Sequence, residues 1–167
     1  MALPDADLAY MHRALELAAR AGQAGEVPVG ALVVMDRVIV GEGHNRQILD
    51  NDPTAHAEVI ALRAAATQIG NYRLPGSTLY VSVEPCTMCA GAMVHARIAR
   101  LVFAAREPKA GAVVSVAQLL DRATFNHQVD WTEGVLAADS AELLQTFFAE
   151  RRSRQKALRQ AGAATDK

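Results

Sequence analysis

Thr78-Leu79-Tyr80-Val81-Ser82-Val83-Glu84-Pro85-Cys86-Thr87-Met88-Cys89 is the stretch on which the fold turns. Its first six residues alternate. Leu79, Val81 and Val83 share one face, and Thr78, Tyr80 and Ser82 the other, which is the period of a β-strand. Pro85 suits a helix start, where its missing N–H costs nothing. From Cys86 to about Ala96 the chain reads as a helix of small residues able to pack closely on a sheet.

Upstream, Leu8, Met11, Leu15 and Ala18 recur at helical spacing over Asp5 to Arg20, and Gly22 is a natural stop. His12 lies near that stripe and reads as packed or hydrogen-bonded. A loop from Gly25 to Gly30 leads into β-rich runs at Ala31–Met35 and Arg37–Val40, close enough for a hairpin. Gly41 and Gly43 open like a dinucleotide loop, but Arg46 holds the third glycine position and excludes it. His44 to Asp52 is polar and irregular. A helix is predicted over Thr54 to Ile69, with Asp52 as N-cap and Pro53 in its first position. Val59, Ile60 and Leu62 are then available to the core.

Downstream, Leu101–Ala104 reads as a strand and Ala105–Gly111 as a charged loop. Val116–Asp121 reads as a short helix, and a last strand is placed near Val129. A long helix begins at about Ser140, capped by Asp139 and Glu142, with Leu143, Leu144, Phe147 and Phe148 as its stripe. Its far end is basic: Arg151, Arg152, Arg154, Lys156 and Arg159. Strands alternating with helices argue a layered α/β sheet, at least partly parallel. Residues 1–160 read as one domain and 161–167 as a disordered tail.

The 167 residues suffice for one well-filled core. Lys plus Arg number 17 and Asp plus Glu 18, so any nucleic-acid surface must be a local patch. There is no apolar run of membrane-spanning length and no signal peptide, and the only two cysteines stand at metal spacing. A cytoplasmic protein is expected.

Those cysteines gain meaning from a second stretch, Pro53-Thr54-Ala55-His56-Ala57-Glu58. Cys86 and Cys89, three residues apart, share a face on a first helical turn, where the helix dipole favours thiolates. His56 falls near another helix start. Together they form a three-ligand zinc site with its fourth position open, the arrangement of a hydrolytic centre. Glu58, two residues from His56, cannot point along the same line and reads as a proton carrier beside the metal. Taken alone, Cys-x-x-Cys also fits a redox pair or half of a structural zinc site, and His-x-Glu alone signals little.

The chain resembles the bacterial tRNA-specific adenosine deaminase family of the cytidine/deoxycytidylate deaminase superfamily. Val27-Pro28-Val29-Gly30-Ala31, Asn45-Arg46, Asp52 to Glu58, Asn71-Tyr72-Arg73-Leu74, Glu84 to Met93, Asn126-His127, Glu133 to Ala137 and Phe147-Phe148 carry the resemblance. His-x-Glu followed by Pro-Cys-x-x-Cys is the signature of zinc nucleobase deaminases. The resemblance implies a three-layer α/β/α cytidine-deaminase-like fold around a five-stranded mixed sheet. It implies hydrolysis of adenosine to inosine at the wobble position of an arginine tRNA (anticodon ACG), and a homodimer gripping the anticodon stem-loop.

By the same resemblance, Zn2+ sits on His56, Cys86 and Cys89, one ion per subunit, and Glu58 shuttles protons. Asn45 hydrogen-bonds the flipped base, Cys86 and Glu84 frame the pocket, and Val27 is a further substrate-binding residue. Glu107 and Lys109 lie near the ribose and phosphates, and Phe147, Phe148, Arg151 and Arg152 meet RNA. The chain departs from the family at Glu107, where aspartate is common, at Val83, where leucine is frequent, and over Ala112–Val116. Rival readings are a deaminase of a free base or nucleoside, a non-catalytic zinc-stabilised RNA-binding subunit and a thiol redox protein.

Overall fold

The strand read at Thr78–Val83 lies in the middle of a five-stranded sheet, and both of its faces are covered. The computed structural model describes residues 5–165. Its elements are α1 (Asp5–Gln23), β1 (Gly30–Met35), β2 (Val38–His44), α2 (Gln47–Asp50), α3 (Ala57–Ile69), β3 (Thr78–Val83), α4 (Thr87–Ala96), β4 (Arg100–Ala105), β5 (Asp130–Glu133) and α5 (Ala137–Thr165). The strand order is β2-β1-β3-β4-β5. β1 runs antiparallel to β2 and β3, while β3, β4 and β5 are parallel. The mixed sheet with helices on both faces is the expected architecture.

Alternation along the strands feeds two cores. Ala31, Val33, Leu79, Val81, Leu101 and Phe103 pack under α3 and α4, against Ala61, Leu62, Ala65, Met93 and Val94. Leu32, Val34, Tyr80, Val102 and Ala104 face the other way, onto Met11, Ala14 and Leu17 of α1 and Val135 before α5. No helix among the described residues is long and apolar enough to cross a membrane.

Register brings several strand ends to one edge. Gly30 at the start of β1 pairs with His44 at the end of β2, and Val83 at the end of β3 pairs with Ala105 at the end of β4. The segments entering β1 and leaving β2, β3 and β4 therefore meet at one margin. That margin is the carboxyl edge of the parallel strands, where sites form in open α/β sheets.

Several elements differ from the sequence reading. β2 runs on through Gly41 and Gly43 to His44. A Cβ on Gly41 would lie 2.4 Å from the Ala61 carbonyl oxygen, and one on Gly43 2.5 Å from that of Ala57. The glycines are there so that α3 can lie directly on the edge strand. α2 occupies part of the stretch read as irregular, held by buried Glu26, whose Oε1 accepts the N–H groups of Ile48 and Leu49 at 2.8 Å each.

α3 begins at Ala57 rather than Thr54. Asp52 Oδ1 takes the N–H and hydroxyl of Thr54 (2.8 and 2.7 Å), closing a turn instead of capping the helix. The span 116–121 is not a helix: the N–H groups of Val116, Ala117 and Leu119 turn back to the carbonyls of Gly111 and Ala112. α5 starts three residues before Ser140, so Asp139 and Glu142 lie within it. It continues through the expected tail to Thr165; residues 166 and 167 lie outside the described residues. His12 is exposed.

One buried ion pair ties α1 to the sheet. Asp7, 2% exposed, accepts from Arg100 at 2.7 and 3.0 Å and from the Tyr80 hydroxyl at 2.7 Å. Arg100 also donates to Thr132 of β5 at 3.0 Å. Burial works to raise the Asp7 pKa, but the hydrogen bonds from Arg100 and Tyr80 outweigh it and hold the carboxyl below its ordinary value. A depressed pKa stabilises the fold above the unfolded-state value and is lost as pH falls through the folded one. Asp7→Asn should cost about 3 kcal/mol at neutral pH, since it leaves a partly buried guanidinium uncompensated. The gap from wild type should narrow as pH drops below about 4. Urea denaturation across pH 3 to 7 measures it, and a gap independent of pH would contradict this account.

Candidate active site

His56 and Cys86 occupy the same position in two helices. Each is the residue just before the first helical one, with extended backbone (φ −76°, ψ 149° and φ −78°, ψ 176°), and neither side chain caps its own helix. The side chains are therefore free to point away from the helix ends. Pro85, read as suiting the helix start, lies one residue earlier than the cap, and its carbonyl accepts the Ala112 N–H at 2.8 Å. Cys89 sits in the first turn of α4, on the same side as Cys86.

The three donor atoms form a nearly equilateral triangle. Cys86 Sγ and Cys89 Sγ are 3.7 Å apart, and His56 Nδ1 is 3.7 and 3.6 Å from them. With Zn–S at about 2.3 Å and Zn–N at about 2.0–2.1 Å, a tetrahedral ion needs edges of about 3.8 and 3.6 Å. The donor set and its spacing fit zinc, with one vertex left open. The hydrogen bond between the two cysteines holds the Cys86 thiol down, at about 3, and pushes the Cys89 thiol up, so without a metal the pair shares one proton and Cys86 is the thiolate. Both helix N-termini direct their positive ends at this cluster.

Beside the triangle is a hollow of about 200 Å³. Val27, Asn45, His56, Glu58, Glu84, Cys86 and Glu107 all reach it, so seven of the sequence-predicted residues converge there. Glu58, in the first turn of α3, is 3% exposed. Burial pushes its carboxyl above the ordinary value, only partly offset by its own backbone N–H and by His56. A carboxyl raised in this way holds a proton more readily than an ordinary glutamate, which suits a group that takes a proton and returns it.

Asn45 is more than a turn residue. Its Nδ2 donates to the Val27 carbonyl and its Oδ1 accepts the Ala57 N–H, both at 3.0 Å. It joins the loop entering β1 to the first turn of α3. One amide hydrogen and one lone pair remain for a ligand.

Glu84 is 3% exposed, and its carboxylate is occupied by the loop that follows β4. Burial would raise its pKa, but the donors from Ser115, Val114 and Glu107 prevail and hold it low. Sequence reading missed Gln47, which lines the same hollow with a buried side-chain oxygen that has no partner among the described residues. Val29, Val83 and Ala110 complete the wall. They carry no chemical signature that a sequence could display.

The remaining predicted contacts separate. Lys109, Phe148 and Arg152 surround a second hollow of about 370 Å³ between the loop and α5. Phe147 meets Phe148 edge-on, with centroids 5.4 Å apart, but turns to the other side. There it lines a groove of about 500 Å³ between α1 and α5, together with acidic Asp139, Glu142 and Glu150. Arg151 is exposed on neither hollow.

A three-layer α/β/α sheet with His-Cys-Cys donors at two helix N-termini, and a buried carboxyl beside them, defines a zinc-dependent nucleobase deaminase. The model of the cytidine and deoxycytidylate deaminase zinc-binding region matches residues 4–105. The tRNA-specific adenosine deaminase of Haemophilus influenzae is 54% identical over 151 residues, covering 90% of this chain and 87% of that protein. That of Agrobacterium fabrum is 45% identical over 143 residues, 86% of this chain and 94% of its own. A solved structure described in terms of A-to-I editing by tRNA:A34 deaminases at the wobble position superimposes with TM-score 0.79, at 44% identity over 81% of this chain and 99% of that one. A guanine deaminase from Nitrosomonas europaea is more distant, with TM-score 0.72 and 27% identity over 89% of this chain and 86% of its own. The chain belongs to the cytidine and deoxycytidylate deaminase family, among the tRNA-specific adenosine deaminases.

Purified protein is expected to carry one zinc per chain. Cys86→Ala or Cys89→Ala should weaken zinc binding by more than about a hundredfold, beyond what loss of an outer-shell partner costs. Competition against a chromogenic chelator measures this, and an unchanged affinity would remove that cysteine from the ligand set.

Proposed function

We propose that this protein hydrolyses adenosine to inosine at the wobble position of tRNA, with an arginine tRNA of anticodon ACG as its substrate. The observation that carries the reading is one loop serving two hollows. It places Glu107 in the hollow beside His56 and Glu58, and Lys109 in the hollow with Phe148 and Arg152. A site for one base thus adjoins a surface with a cation, an aromatic ring and a guanidinium, which suits an unpaired RNA loop.

Bound by His56, Cys86 and Cys89, zinc supplies Lewis acidity toward water. Glu58 accepts a proton from the attacking water and passes it to the ring nitrogen beside C6. It then carries the second proton, from the new C6 hydroxyl, to the departing ammonia. The free hydrogen and lone pair of Asn45 orient the base. Val27 and Val29 line the hollow without offering charge. Outside it, Phe148 stacks a neighbouring base, while Lys109 and Arg152 take phosphates, with Arg151 adding charge along α5.

The protein acts as a homodimer on the anticodon stem-loop. The outer faces of α3 and α4 support this: Val59, Leu62, Ala66 and Ala92 surround a shallow apolar hollow of about 280 Å³, next to Tyr72, which is 67% exposed. Two free cysteines and a tRNA substrate fit the cytoplasm.

The deciding assay offers an arginine tRNA with adenosine at the wobble position and, separately, free adenosine, guanine and cytidine. Inosine at the one tRNA position, with the free compounds untouched, is expected. Turnover of a free compound alone would overturn the RNA reading. Glu58→Ala should keep its zinc and lose about 10³-fold or more in kcat, near the upper range for general acid–base groups. A mutant turning over at the wild-type rate would end the proton-shuttle role. Ending the chain after Ala149 should raise KM for tRNA about tenfold, by loss of Arg152 and its neighbours, with zinc retained. An unchanged KM would make that part of α5 passive.

A further inference from the structure

We propose that Glu84 is a positioning residue whose carboxylate locks the 107–115 loop against the metal-binding turn, and so sets the substrate-facing wall of the site. The inference rests on the reading above for what the wall grips, but the lock itself can be measured without any substrate.

The carboxylate meets one donor after another from a single loop. Oε1 accepts the N–H groups of Val113, Val114 and Ser115 at 3.1, 2.7 and 2.9 Å. Oε2 accepts the Glu107 N–H at 3.0 Å and the Ser115 hydroxyl in a short bond. A buried carboxylate filled by donors this way has no lone pair to spare for a ligand. Its task is to bind protein, although it stands two residues before a metal ligand.

The loop is shaped to receive it. Gly111 is buried, and a Cβ there would lie 2.3 Å from Glu84 Cδ and 2.6 Å from the Glu107 carbonyl oxygen. Only glycine lets the backbone close around the carboxylate. The Gly111 N–H returns to the Glu107 carbonyl at 2.8 Å, and the Ala112 N–H reaches the Pro85 carbonyl at 2.8 Å. The loop therefore touches the chain segment just before Cys86 at two adjacent points, Glu84 and Pro85. Glu107 and Ala110 wall the zinc hollow, and Lys109 lines the second one. All three stand on backbone that Glu84 holds. The span 106–129 has no helix or strand of its own, so charge-assisted hydrogen bonds take the place of regular structure.

The test uses Glu84→Gln, which keeps the size and one oxygen but turns an amide NH2 toward loop donors. Ser115→Ala removes a single donor from the same lock, and serves if the first variant does not fold. Two readouts are taken on zinc-loaded protein. Limited trypsin digestion, followed by mass spectrometry, gives the rate of cutting after Arg106 and Lys109, which tracks how often the loop opens. Cutting after Arg154, in the exposed part of α5, is the internal control.

Loop cutting should rise about tenfold in Glu84→Gln and less in Ser115→Ala, the size expected for one charge-assisted bond, with the control rate unchanged. KM for the anticodon stem-loop should rise about tenfold while zinc content stays at one and kcat falls by less than about threefold. Unchanged loop cutting in folded, zinc-loaded variants would overturn the lock. Loss of zinc or of kcat with KM and loop cutting unchanged would overturn it too, by assigning Glu84 to the metal turn. If wild type converts no RNA at all, the functional reading fails, and the cutting rates still decide the lock.

Discussion

The structure depends on one requirement: two helices must begin at the same point in space. His56 and Cys86 precede α3 and α4, and their donor atoms close to within 3.7 Å. A regular helix cannot turn two such groups toward each other across so short a gap. The sheet does it instead. β1 lies between β2 and β3, so the chain leaving β2 and the chain leaving β3 emerge at one edge. Gly41 and Gly43 then let α3 settle onto β2, fixing where its first turn points. The two cysteines and a buried carboxyl gather where two helix dipoles present their positive ends. Fold, packing and electrostatics all favour the same few cubic ångströms.

The zinc ligands, Glu58 and the central strand were legible because each is written locally. Alternation from Thr78 to Val83 marks a strand, and Cys-x-x-Cys marks a shared helical face. What stayed hidden depends on contacts across long stretches of sequence. Gly41 and Gly43 have no side chain to display a period, so β2 seemed to end at Val40, and the reason for two glycines lay in α3. Asp52 and Pro53 look like a helix start. The first N–H of α3 is instead taken by Asn45, twelve residues away. Val116 to Asp121 has helical composition, but its amides are drawn back to Gly111 and Ala112. In each case a tertiary hydrogen bond or a close backbone approach overrode the local preference.

The same limit explains how the residues around the metal were assigned. Asn45 and Glu84 are polar groups near ligands, and a sequence reader assigns such groups to the substrate. Their observed partners are mostly backbone: Val27 and Ala57 for one, the 107–115 loop for the other. Asn45 keeps spare bonding capacity and can do both tasks, whereas Glu84 has none left. The aromatic pair on α5 divides in a related way. Adjacent helical residues point about 100° apart, so Phe147 and Phe148 cannot serve one surface. Phe148 joins Lys109 and Arg152. Phe147 faces Asp139, Glu142 and Glu150, whose charge would repel phosphate.

This division bears on where the chain is free to vary. The metal triangle hangs from the centre of the sheet, through helix ends set by glycine contacts and two buried cores. A change there disturbs packing before it disturbs chemistry. The wall of the hollow comes from irregular chain after β4, tied down by the buried Glu84 carboxylate and the Pro85 carbonyl beside it, and at its start by the Arg106–Glu133 ion pair. Glu107 and the run Ala112–Val116 both lie in that irregular chain. Val113, Val114 and Ser115 offer Glu84 backbone N–H groups, which any residue except proline can supply. Side chains in this run can therefore change while the anchor persists. Gly111 cannot, because its missing Cβ is part of the anchor. The metal-binding residues rest on rigid elements and the outer wall of the hollow rests on a loop. A single buried carboxylate lets the second vary without moving the first.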